Sequence, residues 1–446
     1  MIAPARAAAF EILLEITTTD THSDELLRSP EVDALSAQDR ALATTLVLGT
    51  LRWQLKLDAK IRTLLARPGA KLPPPVETAL RLGAYQLLYL DRIPAHAAIG
   101  ESVELAKRAG ERYAAGLVNA VLRKLAVMPL AVTTHESIAE QYAHPQWMVE
   151  RWARAYGQDA ARAFCAFDQE PAGICLRLLH HDAEAALAAE GVELSAGEFL
   201  TAARRVTRGD VVRTEPFRSG WVRIQDEGSQ LVAELAGQGR RILDTCAAPG
   251  GKTAILAERN PEAQIVACDI SPRRLGAMRK KLASLGERVQ FQVHDATKRT
   301  RSPGYDLILC DVPCTGTGTI GRNPEIRFRV NKDAITRQHD RQVRILSAAL
   351  DGLVSNGRLL YSTCSLESEE NEAVVAEVLA RKTDVRLVSI KDDVEKLARE
   401  NAIHEEGLGR LLQHAIRDGF LRTLPGTMQP GTMQCDGFFA ALIVRD

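Results

Sequence analysis

The chain has 446 residues, more than one compact domain usually contains, so its length predicts two or three domains. It is 46% hydrophobic and 26% charged, as in soluble globular proteins, and no apolar run reaches the roughly 18 residues of a membrane span. Eight cysteines without a C-x-x-C pair exclude a disulfide framework and argue against a zinc site. Glu11 and Glu15 interrupt the apolar N-terminus as in an amphipathic helix, so we expect a cytoplasmic protein.

The charged residues are sorted along the chain although they balance overall, at 57 basic and 57 acidic. Residues 1–39 carry a net charge of −6, whereas residues 40–130 carry +8. Residues 204–223 hold six basic and two acidic side chains, and residues 271–301 hold nine and two. Separate basic patches are typical of proteins that bind a polyanion at defined places, although solvated helix faces explain each single patch equally well.

Residues 1–130 have the apolar spacing of helices and no strand pattern. The first long helix is predicted at 41–65, and the prolines at 73–75 separate it from the next. Further helices are predicted at 77–90, 101–109 and 117–125. This region therefore predicts a bundle of about five to seven helices.

The rest of the chain predicts two further domains. Residues 131–235 read as a small α+β module, and residues 236–446 alternate strands with helices. The predicted strands are RILDTC, QIVACDI, RVQFQVHDA, YDLILCDVPC, GRLLYSTCS and GFFAALIV. This alternation predicts an α/β Rossmann-like domain with a doubly wound, mostly parallel sheet. Ligands of such sheets bind at the carboxyl ends of the strands, so the residues that close each strand are the candidates for function.

A glycine-rich turn follows the first of these strands and predicts a cofactor site. Its residues are Cys246, Ala247, Ala248, Pro249, Gly250, Gly251 and Lys252. The turn lacks the G-x-G-x-x-G of dinucleotide folds, and Cys246 stands where a P-loop needs its first glycine. S-adenosylmethionine remains as the cofactor.

Four strand-end aspartates support that cofactor: Asp244, Asp269, Asp295 and Asp311. Asp269 lies 18 residues beyond Gly251, close to the spacing of a carboxylate that binds ribose hydroxyls. Asp295 is placed to accept from the adenine amino group. A single aspartate at a strand end more often caps the following helix, but aspartates at the ends of four successive strands favour a ligand site.

Two cysteines close neighbouring strands beside Asp311. Carbon 5 of cytosine is a poor nucleophile, and addition of a thiolate to carbon 6 makes it reactive toward a sulfonium methyl group. Cys314 and Cys364 supply thiols, Asp311 supplies a polar group for the ring, and Lys252 or a helix N-terminus is expected to favour the thiolate. Each cysteine alone would be interpreted as a small buried residue of the core. Only the location that both share with Asp311 favours a catalytic role.

The sequences DTCAAPGGKT, DVPCTGTGTIGRNPEIRF and YSTCS resemble the motifs of the NOP2/Sun family of RNA cytosine-5 methyltransferases. The resemblance implies that Cys364 is the nucleophile and that Cys314 assists product release. It also implies cofactor contacts by the turn from Cys246 to Lys252 and by Asp269, Asp295 and Asp311. DNA cytosine methyltransferases use the Pro-Cys cysteine instead, so the additional YSTCS cysteine favours RNA.

The N-terminal half resembles the NusB-like RNA-binding domain of bacterial family members of the RsmB/Sun type, which methylate 16S rRNA. The similar stretches are 80–108, 116–125, HPQWMVERW and IQDEGSQLVAEL. This implies a small-subunit rRNA substrate, not yet assembled into a particle, and a monomeric enzyme. Thr245 replaces the usual aliphatic residue of the first motif, and 404–435, with its tandem GTMQ, departs from the family pattern.

Two other functions compete with this interpretation. A zinc nucleobase deaminase needs H-x-E and P-C-x-x-C; His404 and Glu406 match the first, but Thr317 stands where the second needs cysteine. A non-enzymatic RNA-binding or antitermination-type factor would account for the helical region and the basic patches. It would leave the cysteine pair and the strand-end aspartates unexplained.

Overall fold

A computed structural model of the chain describes residues 2–19, 21–128, 136–300, 304–426 and 433–446. The chain forms two compact units. The helical unit comprises Met1–Pro171 and Ile320–Arg329, and the sheet unit comprises Ala172–Thr319 and Val330–Asp446. The domain boundary predicted at residue 130 and most of the GTMQ repeat lie outside the described residues. No helix within the described ranges is both long and apolar enough to cross a membrane.

Ten helices form the N-terminal part of the helical unit. They are α1 (Pro4–Thr18), α2 (Ser23–Leu26), α3 (Pro30–Asp33), α4 (Ala37–Leu64), α5 (Pro74–Tyr89), α6 (Ala95–Arg108), α7 (Ala115–Ala126), α8 (Ile138–Gln141), α9 (Gln146–Tyr156) and α10 (Gln158–Phe167). The Ser36 hydroxyl caps α4 by accepting from the backbone N–H of Asp39. The prolines at 73–75 separate α4 from α5, and Pro74 lies in the first turn of α5, where the missing N–H costs nothing.

Helices α4 and α5 make the closest approach in this unit. Gly49 lies on α4 directly against the ring of Tyr85 on α5, and a Cβ at Gly49 would stand 2.0 Å from that ring. Only glycine fits there. The surrounding core is apolar and includes Leu46, Leu80 and Leu122, all with no exposed surface. The predicted bundle is therefore held by a continuous apolar core rather than by helix propensity.

The sheet unit contains all the strands of the described chain. Its elements are β1 (Cys175–Leu178), α11 (Ala183–Ala189), β2 (Glu193–Ala196), β3 (Ala203–Arg208), α12 (Glu215–Arg218), β4 (Val222–Ile224), α13 (Glu227–Ala236), β5 (Arg241–Asp244), α14 (Gly251–Arg259), β6 (Gln264–Asp269), α15 (Pro272–Lys281), β7 (Val289–Val293), β8 (Tyr305–Asp311), α17 (Lys332–Leu350), β9 (Leu353–Thr363), α18 (Glu372–Leu379), β10 (Val385–Val388), α19 (Lys391–Arg399), α20 (Glu405–Arg410), β11 (Ile416–Arg417), β12 (Phe420–Thr423) and β13 (Phe438–Arg445). Helix α16 (Ile326–Arg329) precedes α17 in the chain and belongs to the helical unit.

The strands form two sheets. A small antiparallel sheet has the order β2-β3-β1-β4, and a large mixed sheet has the order β11-β12-β13-β9-β8-β5-β6-β7, with β10 paired to β13. Strands β5 to β9 are parallel, whereas β10 to β13 pair antiparallel at one side. The chain leaves β5 toward β6 and β7 and then returns to β8 on the other side of β5. This reversal of strand order opens a crevice at the carboxyl ends of β5 and β8.

Successive residues of the central strands face opposite sides of the large sheet. Leu307 and Leu309 of β8 pack in the core that includes α13, α14 and α15. Ile308 and Cys310 pack in the core on the other face, which includes α17 and α18. Both faces are covered, which is why β8 reads as an unbroken apolar run in the sequence and its functional side chains lie at its end.

The segment Ile320–Arg329 includes the second half of the motif DVPCTGTGTIGRNPEIRF, which begins at the end of β8. This segment folds within the helical unit. Glu325 is 1% exposed and accepts from the backbone N–H and the hydroxyl of Ser23, both at 2.9 Å. Arg327 is fully enclosed and donates to the carbonyl oxygens of Arg52 and Ala143. The charged residues of this motif are therefore partners for helix ends and loops.

We expect Glu325→Gln to destabilise the helical unit by about 1.5–3 kcal/mol at pH 7, because it removes charge-assisted hydrogen bonds from a buried site. Burial would raise the pKa of Glu325, but hydrogen bonds from His22 and Ser23 outweigh it and lower that pKa. The contribution of the carboxylate is therefore present above the ordinary glutamate pKa and is lost as the pH falls through the lowered value.

Urea unfolding of the full chain, followed by tryptophan fluorescence at pH 7 and at acidic pH, measures this difference. Three of the four tryptophans, Trp53, Trp147 and Trp152, lie in the helical unit. The exposed Glu31 of α3 provides the control Glu31→Gln, which should leave the midpoint unchanged. A gap between wild type and Glu325→Gln that stays constant or widens in acid would contradict the assignment.

Candidate active site

The turn after β5 brings the backbone close to the crevice. Gly250 has a left-handed backbone (φ 99°) and precedes the first turn of α14. A Cβ at Gly250 would also stand 2.8 Å from Cγ of Met278, so both conformation and space require glycine. Of this turn, Thr245, Cys246 and Ala248 line the crevice, and Gly250 leads the chain into the N-terminus of α14.

Asp244, the last residue of β5, contacts the helix that follows this turn. It is 1% exposed, and its Oδ2 accepts from the hydroxyl of Thr253 at 2.6 Å. Burial raises the pKa of Asp244 to about 7, although the Thr253 hydrogen bond opposes that shift. Asp244 thus ties strand β5 to helix α14 and does not line the crevice.

A cleft lies at the carboxyl ends of the parallel strands. Its lining comes from the turn after β5, from the ends of β6, β7 and β8, and from α15 and α17. The lining residues are Thr245, Cys246, Ala248, Asp269, Ile270, Arg274, His294, Asp295, Ala296, Asp311, Val312, Pro313, Arg341 and Ile345. The structure therefore places Asp269, Asp295 and Asp311 around one space.

Asp269 and Asp295 also bond their own following turns. Oδ1 of Asp269 accepts from the backbone N–H of Ser271 at 2.8 Å, and its Oδ2 lies 3.4 Å from the Arg274 guanidinium. Oδ1 of Asp295 accepts from the backbone N–H and the hydroxyl of Thr297, and that hydroxyl bond lowers the pKa of Asp295. Each aspartate keeps its second oxygen, Oδ2, outside the hydrogen bonds to the turn, so a turn-forming role and a ligand-binding role are compatible.

Lys252 and Asp311 form a partly buried ion pair that joins α14 to the end of β8. Lys252 Nζ lies 2.8 Å from Oδ2 of Asp311, and Oδ1 of Asp311 accepts from the Ser362 hydroxyl at 2.7 Å. Burial alone would lower the pKa of Lys252, but the Asp311 carboxylate outweighs it and raises that pKa. Lys252 is therefore a fixed positive charge beside the strand ends.

The two strand-end cysteines meet next to this ion pair. Cys314 follows β8 and Cys364 follows β9, and their sulfur atoms lie 3.3 Å apart. Both side chains are partly exposed. The hydrogen bond to Cys364, together with burial, raises the pKa of Cys314 well above its ordinary value. Cys314 therefore holds its proton more tightly than an ordinary thiol does.

The remaining cysteines differ from this pair. Cys165, Cys175, Cys268, Cys310 and Cys435 are buried, as expected of small hydrophobic residues. Cys246, by contrast, is partly exposed and lines the cleft, because the glycine-rich turn carries it out of the sheet. Burial of its thiol nevertheless raises the pKa of Cys246 to about 12, so it is not a nucleophile at neutral pH.

Several lining residues were not anticipated from the sequence. Arg274 and Arg341 reach the cleft from α15 and α17, and Ile270 exposes 54% of its surface directly after Asp269. Ile270 could have been predicted from the sequence as a lining residue, because it directly follows a strand-end aspartate. The two arginines carry no such signal, because only the packing of their helices brings them to the cleft.

The doubly wound sheet, the glycine turn at a helix N-terminus and the strand-end carboxylates define an S-adenosylmethionine-dependent methyltransferase. Residues 233–444 match the profile of 16S rRNA methyltransferase RsmB/F. Residues 3–127 match the NusB family, and residues 144–211 match the ferredoxin-like domain of RsmF/B-like methyltransferases.

Curated relatives extend over nearly the whole chain. The probable ribosomal RNA small subunit methyltransferase B of Bacillus subtilis is 33% identical over 457 residues, covering 97% of each chain. The ribosomal RNA small subunit methyltransferase B of Pseudomonas putida is 35% identical over 405 residues, covering 87% of this chain and 91% of its own. The crystal structure of a protein named PH0851 superimposes with a TM-score of 0.81 over 100% of this chain and 99% of that chain; at 23% identity it shares the fold.

The chain belongs to the RsmB/F family of 16S rRNA methyltransferases. This confirms the predicted family, the three-part fold with a NusB-like helical domain, and S-adenosylmethionine as the cofactor. The small module, predicted only as α+β, is of the ferredoxin-like type. The roles of individual site residues stay predictions.

Proposed function

We propose that this enzyme transfers a methyl group from S-adenosylmethionine to carbon 5 of one cytosine in 16S rRNA, through a covalent bond between Cys364 and carbon 6. The observation that carries the proposal is the pair of thiols 3.3 Å apart, at the ends of adjacent parallel strands and beside Asp311 and Lys252. A methyltransferase that acts on a nucleophilic nitrogen or oxygen has no need of such a pair.

The cleft fits S-adenosylmethionine. We assign the ribose hydroxyls to Asp269, whose Oδ2 lines the cleft, and the adenine amino group to Asp295. The exposed side chain of Ile270 provides an apolar surface for the adenine ring. The turn from Cys246 through Ala247, Ala248, Pro249, Gly250 and Gly251 to Lys252 borders the methionine part, because glycine and alanine leave room for a ligand there.

The cofactor supplies an electrophilic sulfonium methyl group, and the chain supplies the groups that activate the base. The Cys364 thiolate adds to carbon 6, the electrons of the C5–C6 double bond shift toward ring N3, and N3 takes the proton of the Cys314 thiol. Carbon 5 then gains the methyl group, and the Cys314 thiolate left by the first step takes the C5 proton. The electron pair of the broken C–H bond restores the double bond as the Cys364 sulfur departs, and N3 returns its proton to solvent.

The protonation of the site supports this division of roles. The hydrogen bond to Cys364 and burial raise the pKa of Cys314, so Cys314 is the poorer nucleophile of the two, and the Lys252 ammonium interacts electrostatically with Cys364. A fixed positive charge beside a thiol favours its ionised form. Asp311, held by Lys252 and Ser362, is positioned to accept from the amino group of the target cytosine.

We propose that the helical unit holds the rRNA. It exposes many basic side chains, as the net charge of residues 40–130 predicts. Exposed basic residues there are Arg62, Arg67, Lys71, Arg92, Arg108, Arg112, Arg123 and Lys124. Such residues neutralise phosphates without reading bases, so they supply affinity while the cleft selects the base. We further propose that the enzyme acts as a cytoplasmic monomer on rRNA that is not yet assembled.

Asp269→Asn should weaken binding of S-adenosylmethionine by about 1.5–3 kcal/mol, roughly 10- to 150-fold, because it removes the charged acceptor of the ribose hydroxyls. The amide oxygen can still accept from Ser271, so the fold should be preserved. Calorimetry with the cofactor measures the loss. RNA affinity should be unchanged, and Asp333→Ala, an exposed aspartate of α17, is the control. An unaltered cofactor affinity would remove Asp269 from the site.

The two cysteine variants should behave differently. Cys364→Ala cannot add to carbon 6, so methylation and any covalent RNA adduct should both vanish. Cys314→Ala should still attack and methylate but fail to take the C5 proton, and should accumulate as a protein–RNA adduct. Denaturing gel electrophoresis after incubation with rRNA and cofactor detects the adduct.

The outcomes separate the possible assignments. An adduct with Cys364→Ala and none with Cys314→Ala would reverse the two roles. Full methylation by Cys364→Ala would exclude Cys364 as the nucleophile. A Cys314→Ala enzyme that is only less stable, without an adduct, would make Cys314 structural.

A further inference from the structure

A buried carboxylate connects the two loops that carry the thiols. Glu370 lies at the start of α18 and has no exposed surface. Its Oε1 accepts from the backbone N–H of Thr315 at 2.8 Å, and its Oε2 accepts from the hydroxyls of Thr315 and Ser365. Thr315 directly follows Cys314, and Ser365 directly follows Cys364. One side chain therefore bonds the next residue after each cysteine.

Asn371, the neighbour of Glu370, holds the Cys364 loop from both sides. Its amide oxygen accepts from the hydroxyl of Thr363 at 2.5 Å, and its amide nitrogen donates to the carbonyl oxygen of Ser365 at 2.9 Å. The Tyr361 hydroxyl donates to the carbonyl oxygen of Glu370 at 2.6 Å. The residues before and after Cys364 are thus both attached to the same dipeptide.

The Cys314 loop is held in the same way. Gln342 of α17 is fully buried, and its Nε2 lies 3.0 Å from both the carbonyl oxygen of Pro313 and Oε1 of Glu370. Pro313 precedes Cys314, so this loop too is bonded on either side of its cysteine. The described partners of the Glu370 carboxyl are neutral donors, and they satisfy both of its oxygens.

We propose that Glu370 is a positioning residue that holds the Cys314 and Cys364 thiols at reacting distance, with Asn371 and Gln342 as its supports. The proposal rests on the proposed covalent mechanism and deepens it. The thiols contact each other, and the Cys314 sulfur also accepts from the backbone N–H of Cys364, so the separation of the sulfurs depends on how their two loops are held. The loops are joined directly by the Gly318 N–H, which donates to the Cys364 carbonyl oxygen at 2.9 Å, and Glu370 adds a carboxylate that bonds both loops at once.

Capture of the thiol pair by phenylarsine oxide tests this without RNA. Two thiols and one arsenoxide give a cyclic dithioarsonite and water, and only thiols held close together react rapidly. Glu370→Gln replaces an acceptor oxygen by an amide that cannot accept from the same donors. We expect capture, followed by mass spectrometry, to slow by about 10- to 100-fold, the effect of roughly 1 Å misplacement. Cys314→Ser establishes that the captured thiols are this pair.

The same variant should methylate rRNA more slowly by a similar factor in a single turnover, with cofactor affinity unchanged. The neighbouring Glu369, whose carboxylate accepts from the Ser368 hydroxyl at 3.3 Å, provides the matched control Glu369→Gln, with wild-type capture and turnover expected. Thr315→Val, which loses only one hydroxyl donor, should slow capture by about 2- to 10-fold and serves where Glu370→Gln does not fold.

The proposal would be overturned if a folded Glu370→Gln were captured as fast as the wild-type enzyme. The same holds for Thr315→Val where Glu370→Gln does not fold. Slow capture combined with a wild-type rate of methylation would also overturn it. Failure of the proposed function looks different. In that case the wild-type enzyme would not form 5-methylcytosine at all, while thiol capture would still report whether Glu370 holds the pair.

Discussion

The ion pair between Lys252 and Asp311 is the contact on which the rest of the site depends. Parallel strands place their carboxyl ends at one edge, and the reversal of strand order between β5 and β8 leaves a crevice there. Lys252 comes from the helix after β5 and Asp311 from the end of β8, so their bond connects the two strands that border the crevice. Removing either partner would leave a buried charge uncompensated, which costs more than the pair itself contributes.

Around this pair, each neighbouring feature has a physical reason. The glycine turn brings an α-helix N-terminus to the cleft, and the aspartates at the ends of β6 and after β7 offer acceptors to a ligand while holding their own turns. The thiols lie where β8 and β9 end, beside a positive charge that favours one thiolate. The topology thus places together the residues that we propose for cofactor binding, base activation and proton removal.

Much of this could be predicted from the sequence, because the site residues follow the strands directly. Asp311 and Cys364 each follow an apolar run in the sequence. The alternation of these runs with helices indicates that they are strands of a mostly parallel sheet. The antiparallel strands β10 to β12 were not predicted, since they are two to four residues long and lack a clear period. Nor were Arg274, Arg341 and the partners of Glu370, because these depend on how helices pack and not on local spacing.

The most direct test of the central claim is bisulfite sequencing of 16S rRNA from cells that lack this enzyme. One cytosine that is protected from conversion in the parent strain should become fully convertible in the deletion strain. Protection should return with the wild-type gene and not with Cys364→Ala. An unchanged pattern of protected cytosines, with the deletion confirmed, would contradict methylation of carbon 5 in this RNA.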